Sequence, residues 1–262
     1  MCNIFPVRYF FIFIFCMFQF CVSLQAQERI SSEEEAKAVF EEVEERRNSI
    51  SSETAVLEMV ITDPRGRTRT RTMNIWSSLS SDDSQSLIVF SDPGNVRGTA
   101  FLTIREGGSS SQRLYLPSVG RIQTITSAEL GDRFMGSDFT YEDLGDQQTD
   151  DYEFKWLEVH EDHYLVHATK SDSDQYASVT FKVDRQKYAL TEILYFDQDD
   201  EKIKRLEADQ FEQLTDRLWS PSRMTMYDLR EDRKTELTWS DREINPSIPD
   251  WRFTERGLRR GI

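Results

Sequence analysis

Three histidines, His160, His163 and His167, fall within eight residues of one another, beside Glu158, Glu161 and Asp162. Imidazole and carboxylate together suit a transition-metal site. If Glu161-Asp162 turns a hairpin, His163 and His167 share one strand face some 13 Å apart, at about 3.3 Å per residue. That is too far for two zinc ligands, whose bonds are only about 2.0–2.1 Å. His160 and His163 can still meet across the turn with a carboxylate. Exposed hairpin histidines are the expected reading, with zinc as the alternative and a metal-assisted hydrolase the weakest of the functions considered.

A second constellation is the row Arg65, Arg67, Arg69 and Arg71, interleaved with Thr68, Thr70 and Thr72. It puts guanidinium groups along one strand face, where they can pair bidentately with lipid phosphate or with carboxylates of a partner protein. The alternative is a solvated face whose arginines pair with glutamates of neighbouring strands. Nucleic acid is an unlikely partner, because 32 Lys+Arg stand against 47 Asp+Glu for a net charge of −15. Nucleophilic catalysis finds no support: there is no G-x-S-x-G, no P-loop and no G-x-G-x-x-G. Among so many acids, a carboxylate pair at glycosidase-like spacing has no weight either. No enzyme activity and no cofactor are expected.

The elements that position these residues begin after residue 26. Met1 to Ala26 carries one charge, Arg8, then the apolar run Tyr9 to Val22 and a small, polar end. The run is too short for a bilayer-spanning helix and reads as a secretory signal peptide cleaved after Ala26. All three cysteines, Cys2, Cys16 and Cys21, lie in it, which leaves residues 27–262 without disulfide or thiolate chemistry. Phe18-Gln19-Phe20 before Cys21 lacks the small residue of a lipidation site. A non-lipidated exported protein of one domain, 27–262, is expected.

Ser32 and Glu35 form a capping-box pattern ahead of Ala36, Val39, Phe40 and Val43, which recur at helical spacing. Beyond Ser51 the period becomes two, and Asp63-Pro64-Arg65-Gly66 turns a hairpin. About twelve strands follow in antiparallel meander, the last of them at 202–214, 219–229 and 235–241. The rhythm lapses from Ser118 to Asp151, where Ser137 or Asp138 is placed to cap a short helix lying across the sheet. Outside the leader roughly a third of the residues are hydrophobic, below the usual globular share. This supply suits a sheet with one face covered by a few helices around a cavity better than a thick sandwich.

The segment Arg113 to Ile122 and the block Phe134, Met135, Gly136, Ser137, Asp138, Phe139, Thr140, Tyr141, Glu142, Asp143 and Leu144 resemble the LolA-like outer-membrane lipoprotein-sorting family. The likeness is to its longer subgroup, associated with transporters of the resistance-nodulation-division (RND) type. Val183-Asp184, Trp219 to Met224 and Trp251-Arg252-Phe253-Thr254 ahead of Leu258 agree in order and spacing. Glu161-Asp162 departs from the pattern, since a turn glycine is usual there.

The resemblance implies a mainly β (α+β) fold: a curved antiparallel sheet forming an incomplete β-barrel, with helices covering its open side and an apolar cavity between. It also implies a periplasmic carrier of lipoprotein or other lipid acyl chains, moving between an inner-membrane transporter, RND-type in this subgroup, and an outer-membrane acceptor. The block from Phe134 to Leu144 carries over as a structural signature and candidate lid. A non-transporting accessory subunit docked on the transporter is the rival reading. One acyl chain exposes about 14 methylenes, roughly 11 kcal/mol, and needs roughly 450 Å² of apolar shelter. The alternating residues Leu57, Met59, Ile61, Leu102, Ile104, Val179, Phe181, Met224 and Met226 are the expected lining, although ordinary core packing explains them equally well.

Overall fold

The computed structural model describes residues 29–80, 83–145, 149–170, 173 and 175–261. The leader reading of residues 1–26, with its three cysteines, falls outside this set. The first helix, α1 (Glu33–Arg47), starts where the capping box expects. Ser32 Oγ accepts the Glu35 N–H at 3.3 Å, and the Glu35 carboxylate accepts the Ser32 N–H at 3.4 Å. Its buried face is Ala36, Val39 and Phe40.

Among the described residues, fourteen strands rather than about twelve form a single antiparallel sheet. They are β1 (Arg29–Ser31), β2 (Ser52–Thr62), β3 (Thr68–Leu79), β4 (Ser84–Asp92), β5 (Ala100–Glu106), β6 (Ser109–Leu116), β7 (Arg121–Thr124), β8 (Glu153–Val159), β9 (His163–Thr169), β10 (Ser178–Asp184), β11 (Ala189–Phe196), β12 (Lys202–Gln213), β13 (Trp219–Asp228) and β14 (Arg233–Ile244). The short strands β1 and β7 are the two beyond expectation, and they form the two edges. Two meanders, β2–β7 and β8–β14, join where β14 pairs with β2, placing Leu237 opposite Met59 and Trp239 opposite Leu57. Register shifts interrupt the pairs β3–β4, β8–β9, β10–β11, β11–β12 and β14–β2. Such bulges increase local twist and bend a sheet, and here the sheet curls without closing.

The hairpin β2–β3 turns on Asp63, whose Oδ1 accepts the N–H groups of Arg65 at 2.9 Å and Arg67 at 3.0 Å. Gly66 at φ 76° supplies the left-handed residue the turn needs. The turn Glu161-Asp162 manages without glycine. Arg185 Nη1 donates to the His160 carbonyl at 2.6 Å, and the Arg185 N–H donates to the Asp162 carbonyl at 3.0 Å.

Alternation divides the side chains into two cores. The inner face carries Leu57, Met59 and Ile61 of β2, Met73 of β3, Phe90 of β4, Phe101 of β5, Val179 and Phe181 of β10 and Met226 of β13, packed with Phe40 of α1. The outer face carries Leu87, Val89, Ala100 and Leu102, covered by Phe253 and Leu258. These two belong to a 3₁₀ turn (Asp250–Phe253) and the short helix α2 (Glu255–Arg260). One helix therefore covers the inner face and the other seals the outer one.

Among its described residues, the segment between β7 and β8 forms no α-helix. It makes a 3₁₀ turn at Phe134–Gly136, with Met135 at φ 51° and Gly136 at φ 76°, and then irregular turns. Neither Ser137 nor Asp138 N-caps a helix; Ser137 instead closes the 3₁₀ turn, its N–H donating to the Phe134 carbonyl at 2.9 Å. Ser137 Oγ accepts the Phe139 N–H at 3.3 Å, and the Asp138 carboxylate is taken by Thr235 and Arg233 of β14.

Candidate functional site

An apolar cavity of about 310 Å³ lies between α1 and the inner face of the sheet. Its helix wall is Phe40, Val43, Glu44 and Arg47. Its sheet wall is Phe181, Leu190, Ile193, Tyr195, Leu206, Met224, Leu237 and Trp239, and Phe139, Asp143, Leu144, Gly145 and Tyr152 complete it. Phe40 anchors the helix to the sheet through Phe181 (ring centroids 4.8 Å apart), Phe154 (5.4 Å) and Tyr152 (5.7 Å). Val43, Leu190, Ile193, Leu206 and Trp239 are only partly buried because they face the void.

Of the nine expected lining residues, Phe181 and Met224 border this cavity. Leu57, Met59, Ile61, Val179 and Met226 lie on the same face, but in its packed part. Leu102 and Ile104 are corrections. Leu102 sits opposite Leu87 and belongs to the outer core beneath Leu258, with Ile104 beside it. In β5 it is Phe101 that points inward. The sequence shows the alternation of β5 but not which parity meets the helix, so the wrong pair was legible as a set and misassigned as a face. Leu190, Ile193 and Leu206 were missed for a related reason: only the sheet order brings β11 and β12 opposite α1.

The block from Phe134 to Leu144 is a plug, pinned by buried polar contacts. Phe134 is enclosed by Phe90, Phe101 and Tyr141, with centroids at 5.8, 5.1 and 5.8 Å. Asp138 lies 3.0 Å from Arg233 Nε and accepts from Thr235 Oγ1 at 2.7 Å. Asp143 accepts from Lys204 Nζ at 2.7 Å and from Tyr176 OH at 2.8 Å, and Lys204 also donates to the Tyr176 oxygen at 2.9 Å. Glu142 takes Lys170 at 3.2 Å and Ser173 Oγ at 3.1 Å. Burial, with the Asp143 charge beside it, pushes the Tyr176 phenol well up, and burial does the same to Tyr195 and Tyr152. All three phenols stay protonated, and Tyr176 acts as a donor.

A second chamber of about 280 Å³ adjoins the first, sharing Arg47, Leu144, Gly145, Met224 and Trp239. It is more polar, bordered by Glu53, Ser77, Ser84, Ser86, Ser220 and Arg242. Arg242 Nε lies 2.8 Å from Glu53, yet burial outweighs the guanidinium and raises the Glu53 carboxyl.

The arginine row divides. Arg65 and Arg67 belong to the turn, with Arg67 paired to Asp63 at 2.7 Å, while Arg69 and Arg71 lie on the inner-face side of β3, opposite Ile61 and Met59. Arg71 Nη1 donates to the Met135 carbonyl of the plug at 2.5 Å. The expected pairing with glutamates of neighbouring strands is not what these contacts show. Burial, with Arg69 nearby, lowers the Arg71 pKa.

The histidines are brought close without converging on one point. His160 and His163 stack at 4.3 Å, the first turned to Glu158 at 3.3 Å and the second to Asp162 at 2.7 Å. His167 stacks on Trp156 at 4.9 Å and shares a hydrogen bond with Thr180 Oγ1 at 3.2 Å. Among the described residues no three His, Cys, Asp or Glu side chains are grouped to hold a metal ion, and no helix is long and apolar enough to cross a membrane.

A family model described as uncharacterized-protein-like matches residues 82–260, more than half of the chain. The chain belongs to that family. Its fold is LolA-like. An outer membrane lipoprotein-sorting protein domain from Vibrio parahaemolyticus is 25% identical, with a TM-score of 0.81 over 87% of this chain and 100% of that one. A DUF1329 family protein from Desulfovibrio piger is 22% identical, with a TM-score of 0.79 over 87% of this chain and 100% of its own. A LolA superfamily protein from Nitrosomonas europaea is 19% identical, with a TM-score of 0.66 over 84% and 97%. No curated protein matches the chain. The resemblance read from the Phe134 to Leu144 block and the incomplete antiparallel barrel expected from it both hold.

Proposed function

We propose that this protein is a non-enzymatic periplasmic carrier that shelters a lipid acyl chain between α1 and the inner face of its sheet. The observation that carries the reading is the apolar cavity lined by Phe40, Phe181, Ile193, Leu206 and Met224. The similarity to the Vibrio parahaemolyticus domain, described as lipoprotein-sorting, supports the same class of cargo. At about 310 Å³ the cavity is at the lower end of ligand pockets, which run from ~300 to 1,000 Å³. It therefore takes one chain with the plug in place, and a multiply acylated lipoprotein needs the plug displaced. Transfer follows differences in affinity between an inner-membrane donor, of RND type, the carrier and an outer-membrane acceptor. Export rests on residues 1–26 acting as a cleaved leader. Arg65 and Arg69, exposed at the β2–β3 tip, are the contact we assign to the acidic surface of a donor or acceptor.

Titration of the purified protein with a fluorescent fatty acid tests the reading. Leu206→Trp and Met224→Trp fill the cavity from two strands and are expected to weaken binding at least tenfold while the circular dichroism spectrum is unchanged. Folded variants that bind as the wild type does overturn it.

A further inference from the structure

The outer face ends in a concentration of arginine that the lipid cavity does not use. The guanidinium carbons of Arg252, Arg260 and Arg256 lie 4.7, 4.8 and 5.7 Å from the Trp251 ring centroid, and that of Arg252 also lies 4.2 Å from Trp76. Around the helix, Arg259 Nη1 donates to the Gly120 carbonyl at 3.4 Å and its guanidinium lies over Tyr115 at 5.8 Å. Gly120 sits in the turn between β6 and β7, next to Val119 and the exposed Arg121. Val119 is 60% exposed, the greater of the two exposed large hydrophobics among the described residues.

Charge on this patch is not neutralised locally among the described residues. Among the described residues, the helix acid Glu255 reaches only Arg113, at 3.9 Å, and no carboxylate lies within ion-pair distance of Arg252, Arg256, Arg259 or Arg260. Several arginines elsewhere are matched, as in Arg46–Glu42, Arg105–Asp151, Arg223–Asp209 and Arg242–Glu53. Burial and the neighbouring Arg260 charge lower the Arg252 pKa. Like charges are thus held together on a chain whose net charge is −15. Such a patch is maintained at a cost in self-repulsion, which an anionic surface would relieve.

We propose that this patch docks the protein on an anionic lipid membrane. Val119 and the Trp251 edge enter the headgroup layer, while Arg121, Arg256, Arg259 and Arg260 meet lipid phosphates. An indole among arginines beside one protruding aliphatic side chain is the composition of a bilayer interface, where the ring sits at headgroup depth and each arginine adds attraction. The inference stands apart from the lipid cavity, because an empty carrier and a loaded one present the same patch.

Co-sedimentation with phosphatidylcholine vesicles, with and without phosphatidylglycerol, tests it. Binding is expected only with phosphatidylglycerol and is expected to fade as salt shortens the screening length. Each arginine near the surface contributes about fivefold, so Arg256→Gln, Arg259→Gln and Arg260→Gln combined should weaken binding on the order of 100-fold. Val119→Asp, outside the helix, should weaken it separately. Equal binding to both vesicles, no binding to either, or a triple variant that binds unchanged overturns the proposal. Binding of the patch to an acidic protein without vesicle binding overturns it in favour of a protein partner. Failure to bind fatty acid leaves these readings untouched and bears on the cavity alone.

Discussion

Replacing Lys204 by Met isolates what holds the plug over the cavity. The Lys204 and Asp143 side chains are 10% and 2% exposed and meet at 2.7 Å. Lys204→Met conserves most of the volume and leaves Asp143 buried without its cation. Removing one partner of a buried pair costs about 3–5 kcal/mol. Two donors remain to Asp143, Tyr176 OH at 2.8 Å and the Thr140 N–H at 2.8 Å, which places the expected loss near the low end, about 3 kcal/mol. For a domain of this size that is a fall of about 6–12 °C in Tm. Urea unfolding followed by circular dichroism reads the change in midpoint. Adding Asp143→Leu should recover part of the loss, because it removes the uncompensated charge but leaves Tyr176 OH and the Thr140 N–H without their carboxylate acceptor. A single variant that costs less than about 1 kcal/mol, or a double variant no better than the single, refutes the claim that this pair pins the plug.

Three further outcomes are expected. A Cβ at Gly257 would lie 1.9 Å from the Arg252 carbonyl oxygen. Gly257→Ala should therefore cost about 3 kcal/mol or more and expose the outer apolar face, read as a lower Tm with increased binding of a hydrophobic dye. Leu258→Ala removes a fully buried side chain from the same seal and should cost about 2–5 kcal/mol by urea unfolding. Burial lowers the His167 pKa, so the unfolded chain binds the proton more readily. The stability this residue confers is present above its ordinary value near 6.5 and is lost as the pH falls from there toward the folded value. Melting curves of wild type and His167→Gln between pH 7.5 and 5 should converge as the pH falls; a constant difference would contradict the sign.

Much of the architecture is legible because it is local. The capping box at Ser32 and Glu35 marks the start of α1 within a residue, and the Asp63 to Gly66 turn sets the register of β2 against β3. The helix expected after Ser137 fails because Asp138 is claimed by Thr235 and Arg233, 97 and 95 positions along the chain, and local capping rules carry no information about such partners. Leu102 and Ile104 show the same limit within a sheet. Period two identifies which side chains travel together, but the covering element decides the inner face, and for β5 that element is a C-terminal helix on the opposite side. The cavity lining on β11 and β12 depends on sheet order, which no window of sequence contains.

Native mass spectrometry of the protein purified without detergent from its own cells bears most directly on the proposed acyl-chain carrier role of the apolar cavity. One lipid per chain, released by organic extraction and absent from Leu206→Trp, is the result the account predicts. Wild-type protein that is empty, and that stays empty after incubation with phospholipid and lipoprotein, would contradict it.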